Sequence, residues 1–119
     1  MAGSAVIYVD TEGKFSARRL VEIIVALGGT QDQAARVQVV KADGKSATQM
    51  MELLLSLEAP ILRDEVSLLI CDSVAANIRA EFASDKLLER QQVLIKLAAQ
   101  LKYYAESFAL TVLVVRLLY

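Results

Sequence analysis

The chain has 119 residues, of which 55% are hydrophobic, with 13 Lys plus Arg against 14 Asp plus Glu, and one Cys. This composition excludes intrinsic disorder, an internal disulfide and a generic basic nucleic-acid binder, whose footprint is an excess of Lys and Arg. The longest strand-like run without a charge, Ala109 to Val115 with Thr111 inside it, falls well short of the roughly 18 residues of a membrane span, and the absence of His rules out Ser–His and Cys–His catalysis.

Ala5-Val6-Ile7-Tyr8-Val9 is a short continuous apolar run and predicts a strand buried on both faces. Asp10-Thr11-Glu12-Gly13 reads as a turn. Ser16 can cap a helix with Leu20, Val21, Ile23, Ile24 and Leu27 on one broad face, and Gly28-Gly29 can close it. Val37 to Val40 predicts a second strand and Asp43-Gly44 a turn. Ser46 or Thr48 can cap a helix carrying Met50, Met51, Leu53, Leu54 and Leu57, with Pro60 near its end or beyond it. Val66 to Cys71 predicts a third strand ending at Asp72-Ser73. Asp85 can cap a long helix with Leu87, Leu94, Leu97, Leu101, Tyr104 and Phe108 at helical spacing, and Leu110 to Val115 predicts a fourth strand. The order β-α-β-α-β-α-β implies an α/β fold, three layers with a mainly parallel sheet, right-handed crossovers and helices on both faces.

Ligands of open parallel sheets bind beyond the carboxyl ends of the strands. Two strands here run into acids there, the first into Asp10 and Glu12, the third into Asp72 and Ser73. A carboxylate after a buried apolar strand is placed rigidly enough to act on Mg²⁺, and a second one nearby can orient a water against a γ-phosphate. The alternative from these residues alone is that Glu12 and Asp72 cap the helices that follow. Cys71 reads as a small core residue, and Tyr103, Tyr104 and Phe108 read as packing.

Three stretches sharpen the reading. Val6-Ile7-Tyr8-Val9-Asp10-Thr11-Glu12-Gly13, with Phe15-Ser16-Ala17 and Arg19-Leu20-Val21-Glu22-Ile23, resembles the strand–turn–helix that follows the phosphate loop in eukaryotic RecA-family strand-exchange recombinases. Leu68-Leu69-Ile70-Cys71-Asp72-Ser73 is similar to their Walker B segment, and Arg79-Ala80-Glu81-Phe82 to the start of their first DNA loop. Leu101-Lys102-Tyr103-Tyr104-Ala105-Glu106-Ser107-Phe108 resembles the helix leading to the next core strand. The combination is most similar to the B-type recombinase paralogues.

The resemblance implies an incomplete RecA-like P-loop ATPase core acting in homologous-recombination DNA repair in the nucleus, with ATP and Mg²⁺ as cofactors. Its partners would be sister recombinase paralogues and single-stranded DNA, with no membrane. It implies that Glu12 positions the attacking water, that Asp72 acts on Mg²⁺ with Ser73 beside it, that Arg19 lies against the nucleotide base, and that Arg79 meets DNA. The family's G-x-x-x-x-G-K-[ST] loop is not among these residues. Gly44-Lys45-Ser46 lacks the leading glycine, since Val39 stands five before Gly44, and reads as a turn followed by a cap. Arg116-Leu117-Leu118-Tyr119 stands where the family continues into Thr-Asn-Gln, so the sensor glutamine and second DNA loop are also expected to be missing. This chain is therefore expected to hydrolyse ATP poorly or not at all.

Two other readings compete. One is a non-catalytic, partner-binding fragment, suggested by the apolar excess. The other is a phosphoacceptor receiver domain with Asp72 as acceptor. Against the receiver stand the lack of adjacent acids after the first strand and Arg116 where a lysine is expected.

Overall fold

The computed structural model describes residues 5–74 and 84–115. Four strands form one parallel sheet: β1 (Ala5–Asp10), β2 (Val37–Lys41), β3 (Val66–Asp72) and β4 (Thr111–Val115), in the order β2-β1-β3-β4. Between them lie α1 (Ala17–Ala26), a 3-10 segment (Gln31–Arg36), α2 (Ala47–Ser56), α3 (Glu58–Arg63), a 3-10 turn (Ser84–Lys86) and α4 (Leu87–Ser107). The α/β class and all four strands follow the sequence expectation, with each end within a residue of it.

The caps explain where the helices begin. The Ser16 hydroxyl accepts from the Arg19 N–H at 3.1 Å. Ser46, not Thr48, caps α2: its hydroxyl accepts from the Gln49 N–H, while the Gln49 side chain accepts from the Ser46 N–H. α2 stops at Ser56 because the Pro60 ring would collide with that carbonyl in a continuous helix. Pro60 sits instead in the first turn of α3, where no intrahelical N–H is needed. Asp85 does not cap α4. It lies inside the 3-10 turn, and the helix starts behind Lys86 with no side-chain cap. The 3-10 segment before β2 was not legible as an element. It packs back on α1 because Gly29 leaves room: a Cβ there would sit 2.2 Å from the Gln33 side-chain oxygen, which accepts from the Thr30 N–H.

Strand order and handedness divide the helices. Right-handed crossovers from β1 to β2 and from β2 to β3 run in opposite directions along the sheet, so α1 lies on one face and α2, α3 and α4 on the other. The second set makes the core. Ile7, Val9, Leu69 and Cys71 pack with Met50, Leu54, Ile61, Leu97, Leu101 and Tyr104. The Tyr104 hydroxyl donates to the Leu54 carbonyl, which lets a phenol be fully buried. Burial pushes the Cys71 thiol up to about 12, so it is an inert core group.

The expectation of strands buried on both faces needs correction. Val6, Tyr8, Leu68 and Ile70, which point to the α1 side, are only half-buried. α1 itself has no fully buried residue, and its apolar stripe ends in Leu27 at 83% exposure. One short helix cannot cover four strands.

Candidate functional site

β1 hands the chain to β2 on one side, and β3 leads to β4 on the other. The switch point therefore falls between β1 and β3, and a crevice is expected beyond their carboxyl ends. Asp10 pairs with Asp72 in the register of these two strands. The next residues, Thr11 and Glu12 from one strand and Ser73 from the other, lie at this point.

The end of β1 is fixed by Asp10. Its buried carboxylate accepts four backbone N–H groups: Glu12, Gly13 and Lys14 at Oδ1, and Phe15 at Oδ2, over 2.9–3.3 Å. Burial pushes its pKa up, but these N–H bonds outweigh that and hold the carboxyl below its ordinary value. Gly13 takes the left-handed conformation the turn requires, with φ of 69°. Asp10, not Glu12, is thus the turn's organiser. Glu12 is left to project beyond the strand, largely covered, with Lys14 Nζ 3.3 Å from its carboxylate.

Thr11 stitches the two strand ends together. Its N–H donates to the Asp72 carbonyl at 2.9 Å, and its hydroxyl accepts from the Ser73 N–H and donates to the Ser73 carbonyl, both at 2.7 Å. The Asp72–Ser73 peptide is cis. The Tyr8 hydroxyl donates to Asp72 Oδ2 at 2.5 Å, and the Tyr8 ring leans on Phe15 with centroids 4.9 Å apart. Burial, with Asp72 next to it, raises the Tyr8 pKa well above that of a free phenol, so the hydroxyl stays a donor. The Ser73 hydroxyl is buried and has no partner among the described residues.

The structure brings Glu12, Asp72 and Ser73 to one end of two adjacent strands. Arg19 is not drawn in: it sits on the first turn of α1, 70% exposed, with Nη1 3.3 Å from Glu22. Arg79 and its flanks lie outside the described residues, as do residues 116–119. Two residues with a role here were missed from sequence, Tyr8 and Thr11. A signal for Tyr8 existed: it precedes Asp10 by two and so shares its face, which parallel pairing sets beside Asp72.

Among the described residues no cluster of three acids or thiols could hold a resident metal. Asp72 is a single carboxylate, and among those residues Tyr8 is the one donor to it. That donor set fits Mg²⁺ as it is commonly held with nucleotides, by one or two carboxylates plus phosphate oxygens. Among the described residues, one cavity of about 240 Å³ lies between α2 and α4, and two others open at the amino ends of the strands.

The Rad51 family model matches residues 1–118. The chain belongs to the Rad51 family. It is 34% identical over 120 residues to human DNA repair protein RAD51 homolog 2, covering 92% of this chain and 31% of that protein. It is 35% identical over 108 residues to meiotic recombination protein DMC1 homolog A of Oryza sativa subsp. indica, and likewise to the DMC1 homolog of Lilium longiflorum, each covering 90% of this chain and 31% of the relative. The chain thus spans about a third of the length of these relatives. The RecA-like α/β core expected from the resemblance is the fold observed, and family membership removes the receiver-domain reading.

Proposed function

We propose that residues 5–74 and 84–115 form the part of a recombinational DNA-repair ATPase that handles the metal and the attacking water. The observation that supports this most is the pairing of Asp10 with Asp72, which sets Glu12 and Ser73 at neighbouring strand ends at the switch point. Magnesium ATP, when bound, supplies the transferable phosphoryl group and the charge that neutralises its oxygens. Asp72 would hold the cation through the oxygen that Tyr8 leaves available, and Ser73 would add a polar contact beside it. Glu12 would orient a water and draw on its proton. Arg19 would lie against the base, since a planar guanidinium stacks well, and Arg79 would meet single-stranded DNA. The protein would work in the nucleus with sister paralogues. The half-covered α1 face supports such partner contact.

No complete phosphate-loop sequence occurs in the 119 residues, so the chain alone is expected to turn over ATP at background rate. The test is a chimera in which residues 5–115 replace the matching third of a DMC1-type relative that carries the loop. Turnover is expected, falling about 10²–10⁴-fold in Glu12→Gln, as for the loss of a proton-handling group. An active chimera indifferent to Glu12→Gln and Asp72→Asn overturns the assignment, whereas Glu12-dependent turnover by the 119-residue chain alone overturns only the expectation that it is inactive.

A further inference from the structure

At the end of β3 the backbone and the side chain it carries are held by different residues. Thr11 fixes the backbone, through its bonds to the Asp72 carbonyl and to both backbone groups of Ser73. Those bonds leave the Asp72 carboxylate free to turn about its own torsions. Tyr8 stops that turning. With Asp10 and Asp72 paired on parallel strands, Tyr8 shares the face of Asp72. Its hydroxyl donates to Asp72 Oδ2 at 2.5 Å. The ring that carries this hydroxyl is braced by Phe15, whose own N–H is held by Asp10. Packing against Phe15 alone would be met by a phenylalanine. The phenol adds one thing, a donor aimed at one of the two oxygens of the carboxylate.

We infer that Tyr8 is a positioning residue that makes Asp72 a one-oxygen ligand and so biases the site toward Mg²⁺ over Ca²⁺. The inference rests on the reading of Asp72 as the cation's ligand given above. An oxygen whose charge is partly neutralised by a donor is the weaker metal ligand, so Oδ2 is kept for the phenol and Oδ1 is the oxygen offered. Mg²⁺ demands near-octahedral geometry, keeps several waters and is commonly held by one or two carboxylates plus phosphate oxygens. A single oxygen from Asp72 suits it. Ca²⁺ gathers roughly six to eight oxygens and readily takes a carboxylate by both of them, so it loses a ligand when Oδ2 is occupied. Without the hydroxyl, Asp72 can turn both oxygens to a cation. Losing the donor also alters the basicity and freedom of the carboxylate, but those changes act on both cations. The number of oxygens on offer is what separates them.

The test uses the chimera described above, loaded with a non-hydrolysable ATP analogue and Mn²⁺ and freed of unbound ligand. Bound Mn²⁺ is followed by its paramagnetic resonance while Mg²⁺ or Ca²⁺ displaces it. Tyr8→Phe keeps the ring and its contact with Phe15. It is expected to shift the ratio of displacing concentrations roughly tenfold in favour of Ca²⁺, the low end of the effect of removing a partner from a metal-bound group. Phe15→Leu keeps the hydroxyl and loosens its brace, and is expected to shift the ratio the same way by less. An unchanged ratio in folded Tyr8→Phe, or a shift toward Mg²⁺, overturns the role of Tyr8. Asp72→Asn tells the two readings apart. If it leaves Mn²⁺ binding intact, the assignment of Asp72 falls and this inference with it. If it weakens Mn²⁺ binding while Tyr8→Phe leaves the ratio alone, only the role of Tyr8 falls.

Discussion

The two faces of the sheet are built from the same kinds of residue and end up in different environments. Leu69 points toward α2 and α4 and is wholly buried, while its neighbour Ile70 points toward α1 and is only half-covered. Ile7 and Tyr8 divide in the same way on β1. On the first face, two helices and part of a third close over the strands, and the buried side chains form one contiguous cluster. On the second, α1 lays an apolar stripe along strands it is too short to cover. An apolar run read along the chain therefore reports that a residue could be buried. How far it is buried depends on how many helices reach that face.

The largest expected consequence is a contrast in cost. Leu69→Ala is expected to destabilise by about 2–5 kcal/mol, because the close-packed side leaves a cavity that can only partly collapse. Ile70→Ala removes a similar group from the open side and is expected to cost less than half as much. Urea unfolding of both variants measures this, and equal midpoints would show the faces to be equivalent.

Asp10 carries the next largest expected effect, at the strand end, where one carboxylate holds the turn between β1 and α1. Asp10→Asn keeps the shape but weakens four N–H bonds to a charged acceptor, with an expected cost of about 1.5–3 kcal/mol. The sign with pH follows from the direction of the shift. The folded carboxyl is held below its ordinary value of 3.8, so its contribution is complete above that value and is lost as pH falls through the folded pKa. Below pH 3.8 the wild type is expected to lose stability faster than Asp10→Asn, and their urea midpoints should converge.

Much of this was legible beforehand, for physical reasons. Four short β-branched runs between capped helical patterns leave little choice of topology. The acids at the ends of β1 and β3 stand out because each closes an apolar strand. What stayed hidden depended on contacts between distant segments. Nothing local marks Thr11 as the residue that binds both backbone groups of Ser73, 62 positions away. Asp10 and Glu12 look interchangeable in a turn, and only the backbone path shows that the first is consumed by N–H groups and the second is not. Asp85 looked like a cap because Asp so often is one, but a 3-10 turn carries the chain past it into α4. The 3-10 segment Gln31–Arg36 has no apolar period to announce it and is defined by its approach to Gly29.

The smallest expected effect lies on α1 and probes the open face most directly. Ser16 supplies the only side-chain cap of that helix, accepting from Arg19 N–H. Its loss to alanine typically costs about 1 kcal/mol. What matters is where that cost is felt. A helix locked into a core passes the loss of a cap to global stability, whereas one held by half-buried contacts frays on its own. α1 buries no residue fully, and the ion pairs from Arg18 and Arg19 to Glu22 are exposed ones that contribute little. Amide exchange in Ser16→Ala is therefore expected to speed up roughly fivefold across 17–26, with exchange in α4 and β3 almost unchanged. Uniform acceleration through α4 and β3 would mean that α1 is cooperative with the core, and the two faces would then be one unit energetically despite their unequal cover.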